Sequence, residues 1–302
     1  IKMVIKMSHQ NNSADPGGEF QSVCVITHPL GSAGENATRT LLEILSVITP
    51  VTLVTADLPM NSAIRDRHEV VEISENGIEQ TDVFMSGFRF VLNQLRMCLA
   101  IIRRDEKVIL FFGATAYLLP IICARLLGRT VILEPRGNVP LTLRLPWERQ
   151  MPALLAQVLF NCVWTIERLG YHFANAIITY TPAMAEELQL NRFENKLYST
   201  GARYIDVDRF TQYSSLEERN QVIGYLGRID EEKGIRTLAT AVELLPEDIT
   251  FRFVGDGDLL PWLREQLSEE VETGKVEITG WVDHDRIPAE LNRIRLLVMP
   301  SS

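Results

Sequence analysis

The stretch GYLGRIDEEKGIRTLATAVELL, residues 224–245, passes from an apolar strand through a short polar turn into an amphipathic helix. The turn carries two cations, Arg228 and Lys233, and the helix repeats apolar residues at spacings of three and four. Strand, turn and helix in this order are typical of the start of a parallel βαβ unit. The stretch therefore predicts an α/β fold, with two positive charges beyond the carboxyl end of a strand.

The same alternation of strand and helix extends along most of the chain. We predict eleven strands: SVCVITH, PVTLVTA, HEVVEI, KVILFF, TVILEP, AIITY, KLYST, VIGYLG, ITFRFVG, VEITG and LLVMP. Helix-length segments separate them. One of these, FRFVLNQLRMCLAIIRR, has the pattern of an amphipathic helix, with six apolar residues on one face: Phe88, Val91, Leu95, Cys98, Leu99 and Ile102.

The length of 302 residues indicates two domains, since open α/β cores rarely grow this large. The segment DVDRFTQYSSLEERNQ is polar, lacks either periodicity and is interpreted as a linker. We predict a disordered lead over residues 1–20, an N-terminal α/β domain over 21–205, the linker over 206–221 and a C-terminal α/β domain over 222–302. Because the sequence stops directly after a strand, we expect the second domain to be incomplete.

The composition limits the partners of the chain. A net charge of −9 argues against nucleic acid, which requires a basic face to neutralise its phosphates. The four cysteines lie in apolar segments without metal-ligand spacing, so we expect buried free thiols in a reducing compartment: Cys24, Cys98, Cys123 and Cys162. These features predict a cytoplasmic protein without a metal site.

Two apolar segments raise the question of membrane contact. Both YLLPIICARLLG and PALLAQVLFNCVWTI are shorter than the ~18 residues that a spanning helix needs, and we interpret both as buried helices. For the second segment an alternative stays open, a helix that lies on the inner face of a membrane.

Ligands in open α/β sheets bind beyond the carboxyl ends of the strands, and three loops at such positions are rich in glycine. The first, THPLGSAGENATR, contains Gly31 and Gly34, which allow a ligand to approach the backbone, and Asn36 and Thr38 are expected to begin a helix. A plain turn from strand to helix explains this loop equally well.

The second loop, LGRIDEEKG, combines Gly227 with the two cations. The Arg228 side chain can form forked hydrogen bonds to phosphate oxygens, and Lys233 adds a point charge. The alternative is that both cations simply pair with the three acidic residues between them, Asp230, Glu231 and Glu232. The sequence alone leaves both interpretations open.

The third loop, FVGDGDLLPWL, places Gly255 and Gly257 on either side of Asp256. The glycines permit close approach of a ligand, although a tight turn explains them too. We expect Asp258 to cap the helix that begins near Leu259.

Other polar residues are less informative. The acid pairs Asp206–Asp208 and Asp283–Asp285 suggest metal binding by their spacing, but a linker position and a helix cap explain them better. His28 follows the first strand beside a glycine loop and is a candidate for substrate contact, with a purely local hydrogen bond as the alternative.

The order of these motifs resembles a known family. YLGRIDEEKG, FRFVGDGDLLPWLREQL and VEITGWVDHDRIPAELNRIRLLVMPSS resemble the donor domain of family 4 retaining glycosyltransferases, which have the GT-B fold of two facing Rossmann-like domains. IDVDRF resembles the family's interdomain signature, and HPLGSAGENATR fits its first glycine loop. The resemblance covers residues 22–302; it is strong after Gly224 and diffuse before.

The resemblance implies roles for particular residues. Arg228 and Lys233 match the basic pair that binds the diphosphate of a nucleotide-sugar donor. Further positions match the family's loops around the phosphates, sugar and nucleoside: Gly31, Gly34, Gly227, Gly255, Asp256, Gly257, Trp281 and Val282.

The chain departs from the family in two places. Many members carry a histidine after the fifth strand, where ILEPRGNVP has Arg136, so Arg136 and Asn138 become candidates for contact with the acceptor or a phosphate. The family also follows MPS with an E-x7-E segment that binds sugar and ribose hydroxyls. The sequence ends before such a segment, so we expect half of the donor pocket to be missing.

The resemblance implies transfer of a sugar from a nucleotide-diphosphate donor to an acceptor hydroxyl, with retention and without metal or cofactor. The acceptor would be a glycan, a lipid-linked molecule or a small molecule. Two alternatives remain, a nucleotide-sugar epimerase of the same fold and a catalytically incompetent nucleotide-sugar-binding module.

Overall fold

The computed structural model describes residues 22–73, 83–199 and 207–300. The chain divides into two compact units between residues 204 and 205. The predicted lead over residues 1–20 and the domain boundary at 205–206 lie outside the described residues.

The N-terminal unit is built on a seven-stranded parallel sheet in the order β3-β2-β1-β4-β5-β6-β7. Its strands are β1 Val23–Ile26, β2 Val51–Thr55, β3 Glu69–Glu72, β4 Val108–Phe112, β5 Thr130–Glu134, β6 Ala176–Ile178 and β7 Leu197–Tyr198. Its helices are α1 Ser32–Ser46, α2 Ile64–Arg67, α3 Val83–Ile102, α4 Leu118–Leu126, α5 Val139–Gln150, α6 Ala153–Phe173 and α7 Pro182–Glu187.

The two faces of this sheet form separate cores, because side chains of a strand point alternately to opposite sides. Val23 and Val25 of β1 pack in the cluster that contains Leu42 of α1. Cys24 and Ile26 of the same strand pack in the other cluster, which receives three helices through Met97 and Ile101 of α3, Ile121 of α4 and Tyr171 of α6. Helices α3, α4 and α6 therefore form one layer and α1 belongs to the opposite one.

The C-terminal unit is built on a four-stranded parallel sheet in the order β10-β9-β8-β11. Its strands are β8 Val222–Leu226, β9 Thr250–Val254, β10 Val276–Ile278 and β11 Leu296–Leu297. Its helices are α8 Ile235–Glu243, α9 Leu260–Gln266, α10 Ser268–Glu272 and α11 Ile287–Arg293. The apolar stripe predicted for α8 is buried against this sheet, through Ile235, Leu238, Ala239 and Val242.

All eleven predicted strands are present, and residues 207–221 contain neither helix nor strand, as expected for the linker. Within the described ranges, no helix has both the length and the apolar composition needed to cross a lipid bilayer.

Three expectations about burial were wrong. The segment PALLAQVLFNCVWTI, predicted to be a buried helix, exposes apolar residues such as Leu154 and Val158 in the first part of α6. Cys162 of the same helix is exposed, and Cys98 and Cys123 are only half-buried. The predicted apolar face of α3 is also exposed: Phe88, Leu95 and Leu99 are at least half accessible. A different side of α3 packs on the sheet, because this helix is apolar on two faces.

Candidate functional site

The loops after β8, β9 and β10 are joined by backbone hydrogen bonds at the carboxyl edge of the smaller sheet. The Ile229 N–H donates to the Asp256 carbonyl at 2.9 Å, and the Gly255 N–H donates to the Gly280 carbonyl at 3.0 Å. Gly227, at the end of β8, donates to Val254 of β9 in the same way. These bonds hold the second and third glycine loops of the sequence together as one surface.

Gly255 is required where these loops meet. Its φ of +143° is a conformation that residues with a side chain rarely adopt, and a Cβ added to it would lie 1.9 Å from the Gly227 carbonyl oxygen. Any larger residue would push the two loops apart. The pairing of Gly227 with Gly255 therefore has a steric cause, in addition to any contact with a ligand.

Asp230 connects the first cation to the neighbouring loop. One oxygen of its carboxylate lies 2.8 Å from Nη1 of Arg228, and the other accepts the backbone N–H of Asp258 at 3.0 Å. The carboxylate is largely shielded from solvent. Sequence reasoning missed this role, since it treated Asp230 only as a competitor for the cations.

The Arg228 side chain is paired with acids in the structure, as the alternative interpretation stated. Besides Asp230 it contacts the Glu232 carboxylate. Glu231 instead pairs with Arg236 at 2.9 Å. With 61% of its side chain exposed, Arg228 makes surface ion pairs of about 0–1 kcal/mol, which a more highly charged ligand can displace.

Lys233 differs from Arg228. It ends a short 3-10 helix, Glu231–Lys233, and is half-buried. Among the described residues, its ammonium group has no ion-pair or hydrogen-bond partner. Lys233 is thus the cation of the pair that is available to an anion without breaking another contact.

Helix α8 begins directly after Lys233. Its N-cap is Gly234, with a φ of +67°, and within the described chain no side chain caps this helix. A Cβ on Gly234 would lie 2.5 Å from the Pro300 carbonyl oxygen after β11. The backbone N–H groups of the first turn, with the positive end of the helix dipole, therefore form an anion-binding position beside Lys233.

Two capping predictions were wrong. Helix α9 begins at Leu260 without a side-chain cap, and Asp258 contributes its backbone N–H to Asp230 instead. Asp283 occupies the cap position of a 3-10 helix but makes no capping hydrogen bond, while Asp285 pairs with Arg209. Of the other acid pair, Asp206 lies outside the described residues.

The loop after β10 contains Trp281 and Val282. Trp281 is one of the exposed large side chains of this unit, with 66% of its surface accessible, and Val282 is half-buried. Because the Gly280 carbonyl is bonded to Gly255, this exposed indole extends from the same loop surface. Its contact with a nucleoside stays a prediction.

In the N-terminal unit the first glycine loop leads into α1. Gly31 is the N-cap of this helix, which begins at Ser32, earlier than the expected start at Asn36 and Thr38. Gly34 lies in its first turn, and Asn36 accepts a hydrogen bond from Arg39 at 3.1 Å. No side-chain cap is present at this described helix start, so its backbone N–H groups are also open to a ligand.

His28 and Arg136 both lie at the carboxyl edge of the larger sheet. His28 is exposed to solvent, so only partial desolvation lowers its pKa from the ordinary value; the Arg136 charge lowers the pKa further, and a backbone hydrogen bond opposes the shift. The Arg136 guanidinium lies over the Phe112 ring, 4.7 Å from its centre. Asn138 is a helix cap, since its side-chain oxygen accepts the Leu141 N–H at 3.1 Å.

Sequence reasoning also missed Glu134, the last residue of β5. It is 6% exposed, and one of its carboxylate oxygens has no hydrogen-bond partner within the described part of the chain. Burial raises the pKa of Glu134 to about 7, while the charge of Arg136 opposes this shift. The available signal was an acid directly after the apolar run VIL, at the edge where ligands bind.

Comparison with solved structures identifies the fold class. The chain is similar to Alr3699/HepE of Anabaena, solved in complex with UDP, with a TM-score of 0.65 at 15% identity over 92% of this chain and 74% of that one. The likeness shows the fold, which has the Rossmann-like units of the GT-B class. Residues 220–302 match the family described as glycosyl transferases group 1.

Curated relatives carry related names. The chain is 27% identical over 205 residues to the alpha-D-kanosaminyltransferase of Streptomyces kanamyceticus, covering 63% of this chain and 51% of that protein. It is 36% identical over 100 residues to the 2-deoxystreptamine glucosyltransferase of the same organism, covering 32% of this chain and 26% of that protein. The chain thus spans about half or less of these relatives.

Proposed function

We propose that this chain is a glycosyltransferase that moves a sugar from a nucleoside diphosphate sugar to an acceptor hydroxyl. The observation that carries the proposal is the uncapped start of α8, with Lys233 beside it and Arg228 on the same joined loops. The diphosphate of the donor carries one negative charge on each phosphate, whereas the Glu232 carboxylate that it would displace from Arg228 carries one in all. The family match of residues 220–302 and the names of the curated relatives support the same reaction class.

The two cations have distinct parts in this proposal. Lys233 and the N–H groups of α8 bind the diphosphate, while Arg228 exchanges Glu232 for a phosphate oxygen and stays anchored by Asp230. Negative charge develops on the departing diphosphate during transfer, so these donors lower the barrier. We further propose that transfer retains the configuration of the sugar and requires neither metal nor cofactor.

The acceptor is proposed to meet the N-terminal unit at the carboxyl edge of its sheet. His28, Arg136 and Glu134 provide polar groups of different charge there. A glycan, a lipid-linked molecule and a small molecule all fit this chemistry, and the names of the relatives draw attention to aminocyclitols. We also propose a cytoplasmic location, because the four free cysteines fit a reducing compartment.

The test is acceptor-dependent release of nucleotide. The full-length protein is incubated with UDP-glucose and a panel of acceptors that includes 2-deoxystreptamine, and UDP is measured with and without acceptor. Replacing Arg228 by Ala is expected to lower turnover roughly 100-fold or more, the magnitude found when one charge-stabilising donor is removed.

The matched control is Arg293→Ala. Arg293 is an exposed cation of the same unit that lies with Val222 at the amino end of β8, at the opposite edge of the sheet. Near-normal turnover of the Arg228 variant would refute its role. UDP release that does not depend on acceptor would refute the transferase and favour an epimerase or hydrolase.

A further inference from the structure

Helix α3 presents an apolar stripe to solvent. Phe88, Val91, Leu95, Leu99 and Ile102 are 65%, 49%, 50%, 52% and 55% exposed. Their spacings of three and four place them on one line, about 21 Å long at 1.5 Å per residue. Five large apolar side chains in one exposed row exceed the scattered apolar residues of an ordinary surface. We call this row the α3 face.

A row of arginines borders the α3 face. Arg89, Arg96 and Arg103 each follow a residue of the stripe and recur every seven residues, so they share one side of the helix. Residues 83–103 contain three arginines and no acidic residue, in a chain with a net charge of −9. Arg104, which follows, is paired with Glu69 and Glu106. This helix is therefore a local positive region, against the sign of the whole protein.

The stripe has a structural reason to face outward. The opposite side of α3 is already packed on the sheet through Met97 and Ile101, which are 0% and 1% exposed. Turning the stripe inward would expose those residues in its place. Since both sides cannot pack on one sheet, the second apolar side needs a partner outside this unit or remains in contact with water.

The apolar surface continues onto the neighbouring helices of the same layer. Helix α4 packs beside α3, and α6 packs beside α4. Both expose further apolar side chains, among them Leu119 and Leu126 on α4 and Leu154 and Val158 on α6. A broad surface suits an extended partner better than a single inserted side chain.

We propose that the α3 face docks on a lipid bilayer that contains anionic lipids. An apolar stripe flanked by arginines is the pattern of a helix that lies in the membrane interface, with apolar groups among the acyl chains and cations at the headgroups. An antiparallel contact with a second copy of the chain fits poorly, because its two-fold axis would bring the same arginine row against itself. The proposal does not depend on sugar transfer.

The proposal moves the membrane contact away from the segment that the sequence suggested. The segment PALLAQVLFNCVWTI forms the first part of α6, and its exposed leucines extend the surface without a comparable row of arginines. Helix α3 combines the apolar stripe with the charge, so it forms the centre of the docking surface.

Vesicle sedimentation tests the proposal. The protein is mixed with vesicles of phosphatidylcholine alone or with about one third phosphatidylglycerol, in low and high salt. We expect binding to the anionic vesicles, weakened by salt and at least tenfold weaker on the neutral ones. The variant Leu95→Glu/Leu99→Glu should lose binding at least tenfold, and Arg96→Gln/Arg103→Gln should lose it roughly tenfold or more.

The matched control is Val47→Glu/Met60→Glu. These two residues are 87% and 93% exposed and lie outside the layer of α3, α4 and α6, so the variant adds the same charges without touching the α3 face. Thermal unfolding and circular dichroism confirm that each variant is folded. If a double variant fails to fold, the single variants Leu95→Glu and Leu99→Glu replace it.

Three outcomes would overturn the proposal. These are absence of binding to anionic vesicles, equal binding to neutral vesicles, and binding that the α3 variants leave unchanged. Analytical ultracentrifugation tests whether the α3 face binds a second copy of the chain instead. If the wild type does not bind vesicles but forms a dimer, and Leu95→Glu/Leu99→Glu is a monomer, the α3 face is a dimer interface.

Discussion

Replacing Glu134 by Gln is expected to stabilise the N-terminal unit, and to do so increasingly as the pH rises. The pKa of this carboxyl is raised from 4.5 to about 7 by burial, so the folded protein keeps the proton over a range where the unfolded chain has lost it. Unfolding then releases a proton. Protonation of Glu134 stabilises the folded protein fully below pH 4.5, and this contribution to the free energy of unfolding is lost as the pH rises through 7.

The size of this stabilisation follows from the difference between the Glu134 pKa values of the folded and unfolded states. A difference of roughly 2.5 pKa units at 1.36 kcal/mol each gives about 3 kcal/mol between pH 4.5 and 8. Gln has nearly the same shape and does not ionise. At pH 5 the variant and the wild type should therefore have similar stability, and at pH 8 the variant should be more stable by about 3 kcal/mol.

Hydrogen exchange of peptides from β4 and β5 is the suitable assay, because it reports the free energy of opening of this unit alone. The control is Glu106→Gln, which is expected to destabilise the unit where Glu134→Gln stabilises it. Burial tends to raise the pKa of Glu106, but hydrogen bonds from Arg104 and the backbone lower it overall, so its loss should destabilise at both pH values. An equal effect of Glu134→Gln at pH 5 and pH 8 would refute the reasoning.

Two further predictions concern the C-terminal unit. Gly255→Ala should cost roughly 1–3 kcal/mol or more, because its Cβ would collide with the Gly227 carbonyl; a thermal unfolding midpoint equal to that of the wild type would contradict this. Glu290→Ala should lower the free energy of unfolding by about 3–5 kcal/mol in urea denaturation, because the buried Arg252 then pairs only with the more exposed Glu277. A loss below ~1 kcal/mol would show that Glu277 alone is a sufficient partner for Arg252.

The strands were predictable because most of their side chains are buried on both faces of a sheet. A strand buried on both faces, such as β4, reads as a continuous apolar run between polar turns, and no other part of the chain alters that pattern. Helix α3 shows the limit. Its sequence is apolar on two sides, and only the arrangement of the sheet determines that Met97 packs inward while Leu95 faces solvent.

The candidate site was predictable in its residues but not in its connections. Arg228 and Lys233 follow a strand in a glycine-rich turn, which local sequence reveals. Asp230 acts on Asp258, 28 residues later, and such a contact depends on how two loops meet. The same reason explains the failed cap at Asp258, whose backbone N–H is held by Asp230.

The central claim is that the joined loops of the C-terminal unit bind a nucleoside diphosphate. Isothermal titration of UDP into the wild type, Lys233→Ala and the control Arg293→Ala tests it most directly, with GDP and ADP as further ligands. We expect the wild type and the control to bind equally and the Lys233 variant to bind roughly 10- to 100-fold more weakly, as for the loss of one charge-assisted hydrogen bond. Absence of binding by the wild type to all three nucleotides, or unchanged affinity of Lys233→Ala, would contradict the account.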